Sequence, residues 1–177
     1  MRPEALDRVK LVFGLFDADG NGSLEEHDFD LMAGRVAVAA ADSDAAAKAE
    51  ISDSFAQWWT VLRTELDANK DNKITFDEFT ACVLNPERFD DTIARFANAL
   101  AALGDPDGDG LIHRPLFIDL MIAIGFELAN INALFDAFGP TDDDQVSVST
   151  WVEAIKEFYR PDAGKTVGNK LVSTSAN

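Results

Sequence analysis

The chain is poor in the side chains that covalent chemistry uses. Its 177 residues include one cysteine, two histidines, one tyrosine and three methionines. A single cysteine cannot form an internal disulfide. Cys82 falls on the apolar face of a helical pattern with Phe79 and Val83, which favours a buried thiol over a nucleophile. Since no nucleophile stands beside a candidate base, the sequence predicts a protein that is not an enzyme.

Positive charge and long apolar runs are also scarce. Fifteen Lys and Arg face 32 Asp and Glu, which gives a net charge of −17. Such a charge repels nucleic acids and anionic membranes. No run reaches the roughly 18 apolar residues of a membrane span, the first residues lack the apolar core of a signal peptide, and Arg2 replaces the glycine that myristoylation needs. We expect a cytoplasmic monomer whose natural partners are cations.

The acidic residues are concentrated in a repeated motif, whose first copy is residues 17–28, D-A-D-G-N-G-S-L-E-E-H-D. Oxygen-bearing side chains stand at positions 1, 3, 5 and 12, a glycine at 6 and an aliphatic residue at 8. Ca²⁺ takes about 6–8 oxygen ligands, and the twelve-residue EF-hand loop supplies them from positions 1, 3, 5, 7, 9 and 12. The predicted ligands are Asp17, Asp19, Asn21, Ser23 through its carbonyl, Glu25 and Asp28.

The second copy, residues 67–78, reads D-A-N-K-D-N-K-I-T-F-D-E. Asn72 replaces the glycine of position 6, where the backbone needs a positive φ that asparagine tolerates. This loop is therefore predicted to bind calcium as well. Its predicted ligands are Asp67, Asn69, Asp71, Lys73 through its carbonyl, Thr75 and Glu78.

Two further copies have lost ligands. Residues 105–116 keep Asp105, Asp107 and Asp109, with the carbonyl of Leu111 at position 7, but Leu116 supplies no oxygen at position 12. The sequence leaves open a weak third site here. In residues 139–150 the four ligand positions 1, 3, 5 and 12 hold Gly139, Thr141, Asp143 and Thr150. We interpret residues 142–144 as a solvated acidic turn.

Apolar residues at helical spacing flank the loops, which predicts an all-α fold of four helix–loop–helix units in two pairs. The residues at position 8 are expected to pair in short antiparallel β contacts, Leu24 with Ile74 and Ile112 with Val146. The long insertion between Asp30 and Thr60 is alanine-rich, and it predicts two extended helices with a break at residues 42–44.

The chain is expected to pack as one compact unit. We assign residues 1–85 to an N-terminal pair, 86–160 to a degenerate C-terminal pair and 161–177 to a polar tail. Pro86 is predicted to end the helix that leaves loop 2.

Four hands, a long first insertion and this length resemble the sarcoplasmic calcium-binding proteins and their bacterial relatives of the calerythrin type. The resemblance covers residues 5–160 and implies a compact four-hand protein that buffers or transports calcium. Calerythrin-like members usually keep hands three and four, whereas both complete loops here lie in the first half. The family's site assignments therefore do not transfer wholesale.

The sequence favours a calcium buffer or signal modulator. Three methionines contrast with 13 Phe and three Trp, which suits a packed core better than the adaptable groove of a broad sensor. The alternatives are a sensor or regulatory subunit for a specific protein target and, less favoured, a luciferin-binding protein, since only His27 and His113 could serve as its histidines. Asp28 is shorter than glutamate, and we expect Mg²⁺ to compete in loop 1.

Overall fold

The structure is a computed structural model that describes residues 3–81, 86–160 and 166–172. It has the predicted all-α architecture, with two small two-stranded sheets. The helices are α1 (Pro3–Phe16), α2 (Glu26–Ala39), α3 (Ala45–Leu66), α4 (Phe76–Thr80), α5 (Asp90–Leu103), α6 (Arg114–Ile124), α7 (Leu128–Ala137) and α8 (Val148–Phe158). The strands are β1 (Ser23–Leu24), β2 (Ile74–Thr75), β3 (Leu111–His113) and β4 (Gln145–Ser147), and 3-10 turns cover Pro86–Phe89 and Val167–Leu171.

The loops pair through the two predicted β contacts. Strand β1 runs antiparallel to β2, with Leu24 opposite Ile74, and β3 runs antiparallel to β4, with Ile112 opposite Val146. All four side chains are buried. Each contact satisfies backbone groups in the middle of a loop and anchors that loop to the core.

The insertion in the first half forms the two helices that its composition predicts. α2 ends at Ala39 and α3 begins at Ala45, and the Asp44 side chain caps α3 by accepting a 2.7 Å hydrogen bond from the Ala47 N–H. The hydroxyl of Ser43 donates to the Leu103 carbonyl at 3.2 Å. The break between the helices is thus tied to the end of α5.

The helix after loop 2 is shorter than predicted. Pro86 was expected to end it, but α4 ends at Thr80 and Pro86 begins a 3-10 turn. The Thr80 hydroxyl donates to the Asp77 carbonyl at 2.7 Å, and the Ala81 N–H bonds the Glu78 carbonyl in the tighter 3-10 pattern. These local bonds satisfy carbonyls that a longer helix would use. Cys82 lies outside the described residues.

Helix α3 lies at the centre of the molecule, between α2 and α5, and α5 also packs on α8. The Trp58 ring lies 5.0 Å from Phe16, 4.7 Å from Phe96 and 5.0 Å from Tyr159, centroid to centroid. These rings come from α1, α3, α5 and the end of α8. The buried side chains of both pairs therefore belong to one apolar cluster.

The described part of the tail lies on the C-terminal pair. Leu171 is buried, and its carbonyl accepts a 3.4 Å hydrogen bond from the Asn130 side chain of α7. Among the described helices, none has the length and apolarity that crossing a bilayer requires.

Candidate metal centres

Loop 1 is folded around the side chain of Asp17, which follows α1. Its two carboxylate oxygens each accept a 2.9 Å hydrogen bond, from the N–H groups of Asn21 and Gly22. Gly22 has a φ of 88°, a conformation that glycine adopts without strain. The Asn21 side chain in turn accepts a 2.9 Å bond from the Ser23 N–H. Position 1 thus holds the loop in a tight turn.

Asp28 closes loop 1 from the third residue of α2. It is fully buried, and its carboxylate accepts hydrogen bonds from the N–H groups of Glu25 at 2.8 Å and Asp19 at 3.2 Å. Asp17, Asp19 and Asp28 each offer an oxygen atom, and these atoms lie within 4.8 Å of one another. Burial raises the pKa of Asp28, and the charges of Asp19 and Asp17 raise it further, against the effect of the two N–H donors. A bound cation would relieve this repulsion.

Glu25, at position 9 of loop 1, contacts the second loop directly. The Lys73 ammonium donates to it at 2.8 Å, and this contact lowers the pKa of Glu25. Lys73 was predicted to matter only through its carbonyl. Lys73 precedes Ile74 and Glu25 follows Leu24, so the β contact places the two opposite charges beside each other. Sequence reasoning missed this signal.

Loop 2 repeats the backbone network of loop 1. Asp67 accepts hydrogen bonds from the N–H groups of Asp71 at 3.2 Å and Asn72 at 3.0 Å. Asn72 has a φ of 62°, which confirms the positive φ expected of position 6. Lys70 also has a positive φ, of 60°, where loops 1 and 3 place Gly20 and Gly108.

The side chain of Glu78, the last ligand position of loop 2, is turned toward the first residues of α4. Glu78 Oε2 accepts from the Thr75 N–H at 3.0 Å and from the Thr75 hydroxyl at 2.9 Å. The Asn69 side chain, at loop position 3, accepts a 2.9 Å bond from the Asp71 N–H. Loop 2 therefore has its expected oxygen atoms on the loop, with one Glu78 oxygen engaged in capping α4.

Loop 3 keeps the geometry of its first half. Asp105, Asp107 and Asp109 form a second group of carboxylate oxygens within 4.8 Å of one another, and Asp109 accepts a 2.8 Å hydrogen bond from the Leu111 N–H. Leu116 occupies the third residue of α6 and is half-buried against the core. The site is open at the position where loops 1 and 2 place a carboxylate.

Arg114 joins loop 3 to loop 4 and to α7 through ion pairs. Its guanidinium donates to Asp144 at 2.8 Å and to Asp136 of α7 at 2.7 Å, and it lies 4.4 Å from the centre of the Phe135 ring. This contact lowers the pKa of Asp144. Residues 142–144 form an exposed turn, as interpreted. The sequence analysis did not foresee that Arg114, at position 10 of loop 3, pairs with Asp144 there.

Carboxylate, amide and carbonyl oxygens line loops 1 and 2, and carboxylate and carbonyl oxygens line the first half of loop 3. Such a donor set suits hard cations, above all Ca²⁺ and Mg²⁺. The structure brings three carboxylates together in loop 1 and three in loop 3. Among the described residues, Asp67, Asp71 and Glu78 of loop 2 do not form such a group, and the Glu78 carboxylate is turned to Thr75.

No family model matches the chain. Comparison with curated proteins does find relatives, and they cover most of its length. Sarcoplasmic calcium-binding protein 1 of Astacus leptodactylus is 30% identical over 166 residues, covering 86% of this chain and 85% of that protein. Calerythrin of Saccharopolyspora erythraea is 25% identical over 162 residues, covering 88% and 92%.

Among solved structures, a Streptomyces coelicolor calcium-binding protein, described for its part in calcium-mediated regulation, superposes with a TM-score of 0.74 at 22% identity. The match covers 90% of this chain and 99% of that one, and it shows a shared fold. The identity to the Astacus protein over most of both chains is sufficient to show the family: the chain belongs to the sarcoplasmic calcium-binding proteins.

Proposed function

We propose that this protein binds Ca²⁺ tightly in loops 1 and 2 and acts as a calcium buffer or signal modulator. The observation that carries the proposal is the cluster of Asp17, Asp19 and Asp28, whose oxygen atoms lie within 4.8 Å of one another. The relatives are named for calcium binding and not for a catalysed reaction, which agrees with a protein that is not an enzyme.

In loop 1 the ion is held by Asp17, Asp19, Asn21, Glu25, Asp28 and the Ser23 carbonyl. In loop 2 it is held by Asp67, Asn69, Asp71, Thr75, Glu78 and the Lys73 carbonyl. A bidentate ligand at position 12 uses both carboxylate oxygens. One oxygen of Glu78 also accepts from the Thr75 N–H, and the carboxylate has lone pairs for both partners.

Loop 3 is proposed as a weak site. Asp105, Asp107, Asp109 and the Leu111 carbonyl supply part of a coordination shell, and water completes it. Loop 4 holds no metal, because Gly139, Thr141 and Thr150 supply no carboxylate at positions 1, 3 and 12. Residues 1–85 thus form the binding pair, residues 86–160 form a largely structural pair, and residues 161–177 form a tail.

Buffering is favoured over broad sensing by the scarcity of methionine. A broad sensor opens a methionine-rich groove, whereas this chain has only Met32 and Met121 besides Met1. A regulatory subunit for one protein target is the second candidate.

A luciferin-binding role is disfavoured, because His27 and His113, the only histidines, both lie in metal-binding loops. The core cavity between Phe96, Met121 and Trp151 measures about 30 Å³, room for water and not for a drug-sized ligand.

Calorimetric titration with Ca²⁺ tests the proposal. We expect two tight sites, with one lost in Asp17→Ala, one lost in Asp67→Ala and both lost in the double variant. Asp142→Ala in loop 4 is the matched control and leaves both sites. A wild-type stoichiometry of one, or of three or four sites at similar affinity, contradicts the assignment.

We also propose that the protein is a cytoplasmic monomer, because a net charge of −17 on each copy opposes self-association. Sedimentation at physiological salt checks the oligomeric state. Fractionation of the source cells checks the location.

A further inference from the structure

A groove of about 720 Å³ runs along the outside of the molecule between α2 and α6. α2 leaves loop 1 and α6 leaves loop 3, so the groove belongs to neither EF-hand pair alone. We define the α2/α6 groove by its lining residues, which are Asp30, Leu31, Gly34, Arg35, Val38, Ala39, Asp119, Ile122 and Ala123.

The groove exposes an apolar stripe that the core does not use. Val38 is 79% exposed and Ile122 is 48% exposed. Leu31, Gly34 and Val38 recur at helical spacing along α2, whereas the opposite face of α2 packs Met32 and Val36 into the core. Single exposed aliphatics are ordinary, but a stripe along a groove between two helices indicates a contact surface.

Small residues leave room for another backbone. A Cβ placed on Gly34 would meet no heavy atom within 4 Å, and the groove wall beside it carries Ala39 and Ala123. A partner helix can therefore approach α2 closely, as small residues permit at helix–helix contacts.

The charge around the groove is acidic. Asp30 and Asp119 line it, and neither forms a salt bridge within the described part of the chain. Arg35 is turned toward loop 1, where it donates to the Ala18 carbonyl at 3.1 Å. With a net charge of −17 behind it, this surface attracts a basic partner and repels a second copy of the chain.

We propose that the α2/α6 groove docks a short basic amphipathic helix of a partner protein. Its apolar face packs on Leu31, Val38 and Ile122, and its Lys or Arg side chains reach Asp30 and Asp119. α2 lines the groove from Asp30 to Ala39, so the groove accommodates about 15 Å of helix at 1.5 Å per residue. A contact of this size is smaller than a standard stable interface and predicts reversible binding.

This surface is separate from the metal ligands, so the inference does not rest on calcium binding. If the protein is a regulatory subunit, the groove indicates that its protein target carries a basic amphipathic helix. Because α2 begins at loop 1, peptide binding is to be measured both in excess chelator and in saturating Ca²⁺.

The probe is a fluorescent helical peptide of about 14 residues built from Leu and Lys, the length of α2. Fluorescence anisotropy is recorded near physiological salt, so that unspecific attraction to the −17 charge is screened. The wild type is expected to bind in at least one condition. Val38→Gln and Ile122→Gln are each expected to weaken binding about tenfold, since they remove central apolar contacts without changing charge.

Leu128→Gln is the matched control, because Leu128 is 51% exposed on α7 and lies outside the groove. It is expected to bind like the wild type, and all three variants are checked for native circular dichroism. The proposal is overturned if no peptide binds, if all three substitutions have equal effects, or if a peptide with Glu in place of Lys binds as well. It is also overturned if Val38→Gln instead dissolves a self-dimer or abolishes binding to phosphatidylcholine vesicles.

Discussion

The third residue of each exiting helix is a carboxylate in the complete loops and not in the damaged ones. In loops 1 and 2 this residue is Asp28 or Glu78, and its carboxylate accepts the N–H of the residue that caps the helix. In loop 3 it is Leu116, and in loop 4 Thr150, whose N–H donates to Ser147 instead. The same place in the helix thus holds either a metal ligand or a local cap.

Leu116→Glu is expected to add a Ca²⁺ site to loop 3. The substitution places a bidentate carboxylate beside the existing cluster of Asp105, Asp107 and Asp109. Calorimetry of the folded variant should give one site more than the wild type. Leu116→Gln, which has the same shape without the charge, is the control, and no gain with Glu would mean that Pro115 holds the helix start too far from the ion.

Mg²⁺ is expected to compete better in loop 1 than in loop 2. Asp28 is one methylene shorter than Glu78, and Mg²⁺ prefers six short bonds with monodentate carboxylates. In Asp67→Ala, where loop 1 survives, Mg²⁺ should lower the apparent Ca²⁺ affinity several-fold more than in Asp17→Ala. Equal competition in the two variants contradicts the idea.

At the scale of elements, the loops of each pair are connected in different ways. β1 and β2 share a short contact and the ion pair between Lys73 and Glu25. β3 and β4 are joined by a longer contact, and Val148 N–H also donates to the Gly110 carbonyl at 3.0 Å. The first pair is therefore expected to respond to metal, and the second to be fixed without it.

Glu78→Gln is expected to abolish tight binding in loop 2 and to weaken loop 1. The emptied loop no longer holds Ile74 against Leu24 in the bound geometry, and a coupling of about 1–3 kcal/mol is typical of linked sites. Titration of Glu78→Gln measures the remaining site, with Asp77→Asn as the control for lost charge. An unchanged loop 1 affinity would show that the hands bind independently.

Arg114→Ala is expected to destabilise the C-terminal pair. The guanidinium binds Asp136, Asp144 and Asn132 together, and losing this network should cost about 1–2 kcal/mol of unfolding free energy. Urea unfolding in chelator measures the loss. Lys156→Ala, which removes an exposed pair with Glu153, should cost less than about 0.5 kcal/mol, and similar losses for both variants would contradict a special role for Arg114.

At the scale of the whole molecule, repulsion within a large negative charge is balanced by the packing of a continuous aromatic core. The net charge is −17, and much of it repels itself when no metal is bound. The rings around Trp58 join α1, α3, α5 and the end of α8. Metal binding in the loops, which reduces the repulsion, therefore stabilises the same folded unit that the aromatic core holds together.

Calcium is expected to raise the thermal stability of the wild type substantially. At a free concentration about a hundred-fold above the dissociation constant, each site adds about 2.7 kcal/mol. Calorimetric unfolding in chelator and in Ca²⁺ measures the shift in Tm. The Asp17→Ala, Asp67→Ala double variant should lose nearly all of it, and retention of the shift there would place the tight sites elsewhere.

Spacing alone was enough to predict the loops, their paired strands and the two helices of the insertion. Oxygen side chains at fixed intervals, a turn residue with positive φ and a buried position 8 are local requirements, so they appear directly in the order of residues. Leu24 opposite Ile74 and Asn72 in the positive-φ region follow from such rules. The end of α4 at Thr80 was not predicted from such rules, because it involves the hydrogen bond of the Thr80 side chain to the backbone.

The sequence by itself determined which loops carry complete oxygen sets, since ligand identity is a property of single residues at fixed positions. Only the tertiary structure decided that Arg114 pairs with Asp144, that Lys73 reaches Glu25, and that α2 and α6 leave an acidic groove between them. These contacts join residues far apart in the chain. Their distances are set by the packing of helices around α3, which no local pattern encodes.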